Sequence, residues 1–147
     1  MIVVPDDEQI LFELADAVHG IARQLRVPDD LVPGPCTPIE ITVMRYVQQN
    51  PGVSASDAAA ATGLPTSNLS RSLRSLESKG LVRRDADIKD GRGILLYPTA
   101  LADINIGKIR QAWTDRLIQA TDSEYFLKEV VVLLKKIEHA LSLGPQT

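Results

Sequence analysis

Apolar residues along this chain recur at two periods, about 3.6 residues in some stretches and about 2 in others, and punctuation by Pro, Gly, Ser and Thr separates the two. From Asp7 to Arg26, Ile10, Leu11, Leu14, Val18, Ile21, Ala22 and Leu25 form one helical stripe, with Asp6 as the expected N-cap and Gln9 at the capping-box position. "VPDDLVPGPCTP" then reads as a linker. Thr37-Pro38-Ile39-Glu40 is a helix start with Thr as N-cap and Glu three residues on; Ile39, Val43, Met44 and Val47 supply its expected buried face, and Asn50-Pro51-Gly52 ends it. Ser54 with Asp57 opens a short helix, "ASDAAAAT", which Gly63 closes in a left-handed conformation while Leu64 packs back.

Thr66 starts a fourth helix, whose Leu69, Leu73 and Leu76 lie on one seam; Gly80 is placed to end it, and Leu81 to close back on Leu76. "LVRRDA" and "GILLYP" are β-prone runs, with an Asp90-Gly91 turn signal between them. After Pro98, with Thr99 as N-cap, a helix extends to about Ala120 through Leu101, Ile104, Ile109, Trp113, Leu117 and Ile118. A last helix is expected behind a Thr121/Glu124 capping box, with Phe126, Val130, Leu133, Leu134, Ile137 and Leu141 as its stripe.

Helix, tight turn, polar helix and hairpin in that order define a winged helix-turn-helix, whose second helix enters the DNA major groove. The face opposite the leucine seam carries Ser67, Asn68, Ser70, Arg71 and Arg74, next to Thr66. Arg can bond both acceptors of guanine, Asn can pair with adenine, and Ser can serve base edges or phosphates. Taken singly, each of these is an ordinary solvated residue, Arg83 and Arg84 fit a guarded strand edge, and Arg92 fits a solvated hairpin tip. Their succession in one ordered block is what points to nucleic acid.

Charge sharpens this reading. The 147-residue chain has a net charge of −3, but residues 1–40 hold eight acidic side chains against two basic ones, while residues 66–97 hold seven basic against four acidic. Screening limits each charge to roughly 8–10 Å, so one face can attract a polyanion although the whole is acidic. With 44% hydrophobic and 24% charged residues, wholesale disorder is excluded. No apolar run is long enough to span a bilayer, and "MIVVPDDEQ" lacks the basic start of a signal peptide, so a cytoplasmic location is expected. The single cysteine, Cys36, agrees with a reducing compartment.

The sequence resembles the MarR (multiple antibiotic resistance regulator) family of transcription factors. The family's Leu-Glu-x-x-Gly-Leu-Val-x-Arg pattern is matched by Leu76-Glu77-Ser78-Lys79-Gly80-Leu81-Val82-Arg83-Arg84. Its wing motif, Asp-x-Arg-Asp-x-Arg, is matched by Asp87-Ile88-Lys89-Asp90-Gly91-Arg92, with Lys89 in place of the first Arg; Ala102 stands where Gly is frequent. The resemblance implies a mainly α fold: a winged helix-turn-helix with a two-stranded wing, flanked by long N- and C-terminal dimerisation helices. The expected segments are 1–36 (helix and linker), 37–98 (DNA-binding domain) and 99–147 (C-terminal dimerisation helices). Expected DNA contacts are Thr66, Ser67, Asn68, Ser70, Arg71, Arg74, Arg84, Lys89 and Arg92, with Arg92 in a minor groove; Asp87, Asp90 and Gly91 would shape the wing. The implied partners are a pseudo-palindromic double-stranded operator, a second copy of the chain, and a small organic effector in a crevice between the dimerisation and DNA-binding parts.

Other classes draw little from the residues. There is no Gly-rich phosphate loop, HExxH or nucleophile elbow, so no enzyme, catalytic residue or cofactor is expected. His19 and His139 sit alone, which argues against a metal site. Cys36 has no basic neighbour in sequence to activate it as a redox sensor and reads as a small buried residue, while Tyr46 and Trp113 read as core. A protein-binding winged helix and a cysteine-based redox-sensing regulator are the alternatives to an effector-released DNA-binding one.

Overall fold

The computed structural model describes residues 5–89, 91, 93–122 and 126–144. The elements are α1 (Pro5–Gln24), α2 (Pro38–Gln49), β1 (Val53–Ser54), α3 (Ala55–Thr62), α4 (Thr66–Ser78), β2 (Val82–Ala86), β3 (Ile94–Pro98), α5 (Ala100–Ala120) and α6 (Leu127–Ser142). Helix starts follow the local chemistry of the chain. At α2, Thr37 Oγ1 accepts from Glu40 N (3.2 Å) while the Glu40 carboxylate accepts from Thr37 N (3.3 Å), a complete capping box. Ser54 Oγ accepts from Asp57 N at the head of α3, and Thr99 Oγ1 from Ala102 N at the head of α5.

α4 is closed by the expected reversal. Gly80 has φ 73°, its N–H bonds to Glu77 O (3.0 Å), and Leu81 N–H reaches back to Leu76 O (2.9 Å). The chain then turns straight into β2. Thr99 Oγ1 donates to Gly80 O (2.6 Å), tying the root of α5 to the same turn.

The two-stranded wing proves to be part of a three-stranded antiparallel sheet in the order β1-β3-β2, with Val53 opposite Leu96 and Arg84 opposite Leu96 on the other side. β1 has two residues, one of which caps α3, so no alternating pattern marked it in the sequence. The core lies between α2, α3, α4, the sheet and the first half of α5: Val43, Met44, Val47, Leu69, Leu76, Leu81, Leu96 and Ile109 are fully enclosed. It also takes in Leu31 and Cys36 from the linker, and Ala102 and Ile106 from α5. A methyl group at position 102 is thus accommodated with no exposed surface.

Several local expectations are corrected. Ile39 is exposed, and Ile41 and Glu40 are the buried neighbours instead, because Glu40 is drawn inward by a partner from α4. At α4 the start at Thr66 holds, with Pro65 in the cap position and no side-chain cap bond. α1 already begins at Pro5, which places Asp6 within the helix rather than at its cap. Thr121 ends α5, donating to Leu117 O (2.8 Å), and α6 starts only at Leu127; Glu124 lies outside the described residues.

α1 and α6 are different from the rest. Neither buries a single residue among those described, although Ile10, Leu11, Phe12, Val18 and Ile21 on α1 and Val130, Val131, Val132, Leu133 and Leu141 on α6 are large and apolar. The chain exposes 11097 Å², against roughly 7400 Å² for a compact monomer of its 16.0 kDa. No helix among the described residues is long and apolar enough to cross a membrane.

Candidate nucleic-acid interface

Burial of Leu69, Leu73 and Leu76 at helical spacing leaves only one direction for the other face of α4. Thr66, Ser67, Arg71 and Arg74 are exposed along it, with Asn68 and Ser70 half-buried at its margin. Arg74 Nε is 3.4 Å from Ser70 O, which lays that side chain back along the helix. α3 precedes α4 through Gly63 at φ 67°, so the pair forms the expected helix-turn-helix.

The wing is built from the strands outward. Asp87 N–H bonds to Gly93 O (2.9 Å), and the Asp87 carboxylate accepts from Lys89 N (2.9 Å), so Asp87 shapes the tip as expected. Lys89 is exposed and Gly91 lies in the tip turn. Asp90 and Arg92 lie outside the described residues. Arg84 is placed differently from a free DNA contact: its Nε is 2.9 Å from Glu77 Oε2, an ion pair without hydrogen-bond alignment that ties the wing root to α4. Arg83 forks onto Asp85 (3.1 and 3.0 Å) and lies over the Tyr97 ring, 5.0 Å from its centre.

A second feature lies behind the reading head. Lys79, at the end of α4, donates to Glu40 Oε2 (2.7 Å) and to Pro35 O (2.7 Å), fastening α4 to α2 and to the linker. Burial raises the Glu40 pKa, but hydrogen bonds from Lys79 and Ser75 and the Lys79 charge outweigh it and hold the carboxyl below its ordinary value. Cys36 lies beside this pair. Burial, the Glu40 charge and a hydrogen bond to Glu40 together push its thiol up against the opposing effect of Lys79, an environment that favours the neutral SH over a reactive thiolate.

Cys36 also forms part of the wall of a crevice of about 730 Å³ between the end of α1, the linker, α2 and α5. Leu25, Val27, Ile41 and Trp113 give it apolar walls, and Arg23, Arg26 and Arg45 give it charge. None of those three arginines has an ion-pair partner among the described residues. Trp113, read from sequence as core, packs against the core as expected and also lines this crevice, donating Nε1–H to Arg26 O (3.0 Å). The arginines escaped sequence reasoning because they come from α1, the linker and α2, with no local spacing to link them.

These elements define a class: a winged helix-turn-helix with long helices appended at both ends. Within it, residues 36–93 match the model of the MarR family. The fold is shared with a crystal structure of MarR (TM-score 0.72, 20% identity, 88% of this chain and 92% of the other). It is shared equally with NadR in complex with 4-hydroxyphenylacetate (TM-score 0.71, 23% identity, 92% and 94% covered). A mutant MarR from E. coli complexed with operator DNA aligns at TM-score 0.66, with 20% identity over 86% of this chain and 94% of the other. Among curated proteins none is significantly similar to the chain.

The Glu40–Lys79 pair generates a pH test. A carboxyl with a lowered folded-state pKa contributes stability that is complete above its unfolded value of about 4.3 and is lost as pH falls through the folded value. Glu40→Gln should therefore cost about 1–3 kcal/mol at pH 7 in denaturant unfolding, and its deficit relative to wild type should shrink below about pH 4. A deficit that stays constant down to pH 2 would show that the ionised carboxylate is not the stabilising form.

Proposed function

We propose that the protein is a cytoplasmic, homodimeric transcriptional regulator that binds double-stranded DNA sequence-specifically, acting as a repressor released by a small organic anion. The observation that carries the DNA-binding reading is the outward row Ser67, Arg71 and Arg74, with Asn68 at its margin, on a helix whose other face is locked into the core. Beside it stands a wing with exposed Lys89, all in the one basic block of an acidic chain. Arg71 and Asn68 are the base readers; Thr66, Ser67, Ser70, Arg74, Lys89 and Arg92 are backbone or groove contacts. Arg84 acts mainly as a strut through Glu77. That two similar folds are known on DNA or with an aromatic acid supports the same reading.

The uncovered area supports dimerisation. Segments 1–36 and 99–147 carry α1, α6 and the distal half of α5, whose apolar faces the winged helix of 37–98 leaves uncovered. Two-fold pairing buries such faces against their own copies and sets two recognition helices one DNA turn apart, about 34–36 Å. The crevice lies where these helices meet the winged helix, so an occupant there can alter the distance between the two reading heads. Its three arginines, without an ion-pair partner among the described residues, and its apolar walls suit an organic acid.

Three outcomes are expected. Selection from random duplexes should yield a pseudo-palindrome with half-site centres about 10 bp apart; Arg71→Ala or Asn68→Ala should then cost about 1–3 kcal/mol on that site and little on random DNA, in anisotropy titrations. Binding that is insensitive to salt would favour a protein partner instead. Sedimentation at micromolar concentration should show a dimer, and a 5-bp insertion between half-sites should abolish tight binding; a stable monomer refutes the assembly. Finally, Trp113 is the chain's only tryptophan and lines the crevice. Titration with 4-hydroxyphenylacetate should change its fluorescence saturably and weaken operator binding, and Arg45→Ala should reduce that affinity about tenfold or more. A flat titration into the millimolar range would remove this acid as an effector.

A further inference from the structure

The wing tip carries one residue that neither folding nor solubility accounts for. Ile88 is 98% exposed, the most exposed large hydrophobic side chain among the described residues, between Asp87 and Lys89. It is not a loose end. Asp87 is bonded by its N–H to Gly93 O and by its carboxylate to Lys89 N, both at 2.9 Å, so the backbone on either side of Ile88 is held. The β-branched side chain is also stiff about χ1, so little freedom is lost when it is buried by a partner.

Geometry says where that partner must be. The wing root is fastened to the recognition helix by Arg84 on Glu77, and the far strand to the same turn by Thr99 on Gly80 O. The wing therefore moves with α4 as one piece. Its strands are five residues long, and five residues of strand span roughly 17 Å. That is about half of the roughly 34 Å DNA turn, the axial step from a major groove to the minor grooves beside it. Lys89, exposed next to Ile88, supplies the positive charge that a phosphate-walled groove attracts.

We propose that Ile88 is an apolar minor-groove contact, inserted against the sugar walls and the base step at the outer flank of each half-site. This rests on the DNA-binding reading above and adds to it. Ile is among the side chains that open base steps as wedges and bend the duplex toward the major groove. The contact then favours easily unstacked pyrimidine–purine steps, TA above all, at a flank that α4 never touches.

The test compares wild type, Ile88→Ser, Ile88→Leu and Lys89→Ala on the selected duplex, by anisotropy at several salt concentrations and by energy transfer between end labels as a measure of bending. Because Ile88 is solvent-exposed, Ile88→Ser should melt like wild type. Its affinity should fall about tenfold with the salt slope unchanged, its DNA should be straighter, and its preference for a flanking TA step should vanish. Ile88→Leu should restore most of the affinity and bend, whereas Lys89→Ala should flatten the slope by about 0.9. Wild-type affinity and bending in Ile88→Ser would overturn the proposal. So would a loss accompanied by a flattened salt slope, which would make Ile88 a support for Lys89. Absence of salt-dependent duplex binding by wild type would instead overturn the DNA-binding reading itself.

Discussion

The seam of Leu69, Leu73 and Leu76 against α2 is the contact on which the rest of the reading surface depends. These side chains, with Val43, Met44 and Val47 opposite them, are essentially without exposed surface, so α4 cannot roll about its axis without opening the core. A rotation of one residue, about 100°, would take Arg71 and Arg74 off the outward face and bring a polar side chain inward, at the cost of burying it without a partner. The outward direction of the polar face is thus a by-product of apolar packing. The reversal at Gly80 extends this constraint to the wing, because Leu81 returns to the Leu76 carbonyl and β2 begins at the next residue.

Charge pairs then fix what packing leaves free. Arg84 and Glu77 stand at opposite ends of one sequence pattern yet meet across the turn, bracing hairpin against helix. Lys79 does the same on the other side, joining the end of α4 to Glu40 and to the linker carbonyl of Pro35. Because Cys36 and Pro38 also wall the crevice, the recognition helix and the crevice share a boundary only a few side chains thick.

The appended helices represent the opposite case, apolar surface without a place in the chain's own core. Trp113 and Asn105 hold the linker carbonyls of Arg26 and Pro33, which positions the end of α1 on α5 but covers little of its stripe. α6 buries nothing among its residues. The terminal helices thus carry apolar surface that the winged helix does not cover.

What the sequence by itself determined is everything decided within about one helical turn. The capping box at Thr37, the Ser54 and Thr99 caps, the left-handed Gly63 and Gly80, the leucine seam and the Asp87 wing turn all depend on residues two to six apart, where side-chain type and spacing leave few alternatives. The polar face of α4 was legible for the same reason. Only the tertiary structure decided β1, whose two residues are a strand solely through their pairing with Leu95 and Leu96. The same is true of the Lys79–Glu40 tether across 39 positions, the removal of Arg84 from the free surface, and the gathering of arginines from α1, the linker and α2 around Trp113 of α5. The physical reason is common to all of these: a charged side chain far along the chain has no spacing rule, and its partner is set by where the apolar core happens to bring two elements together.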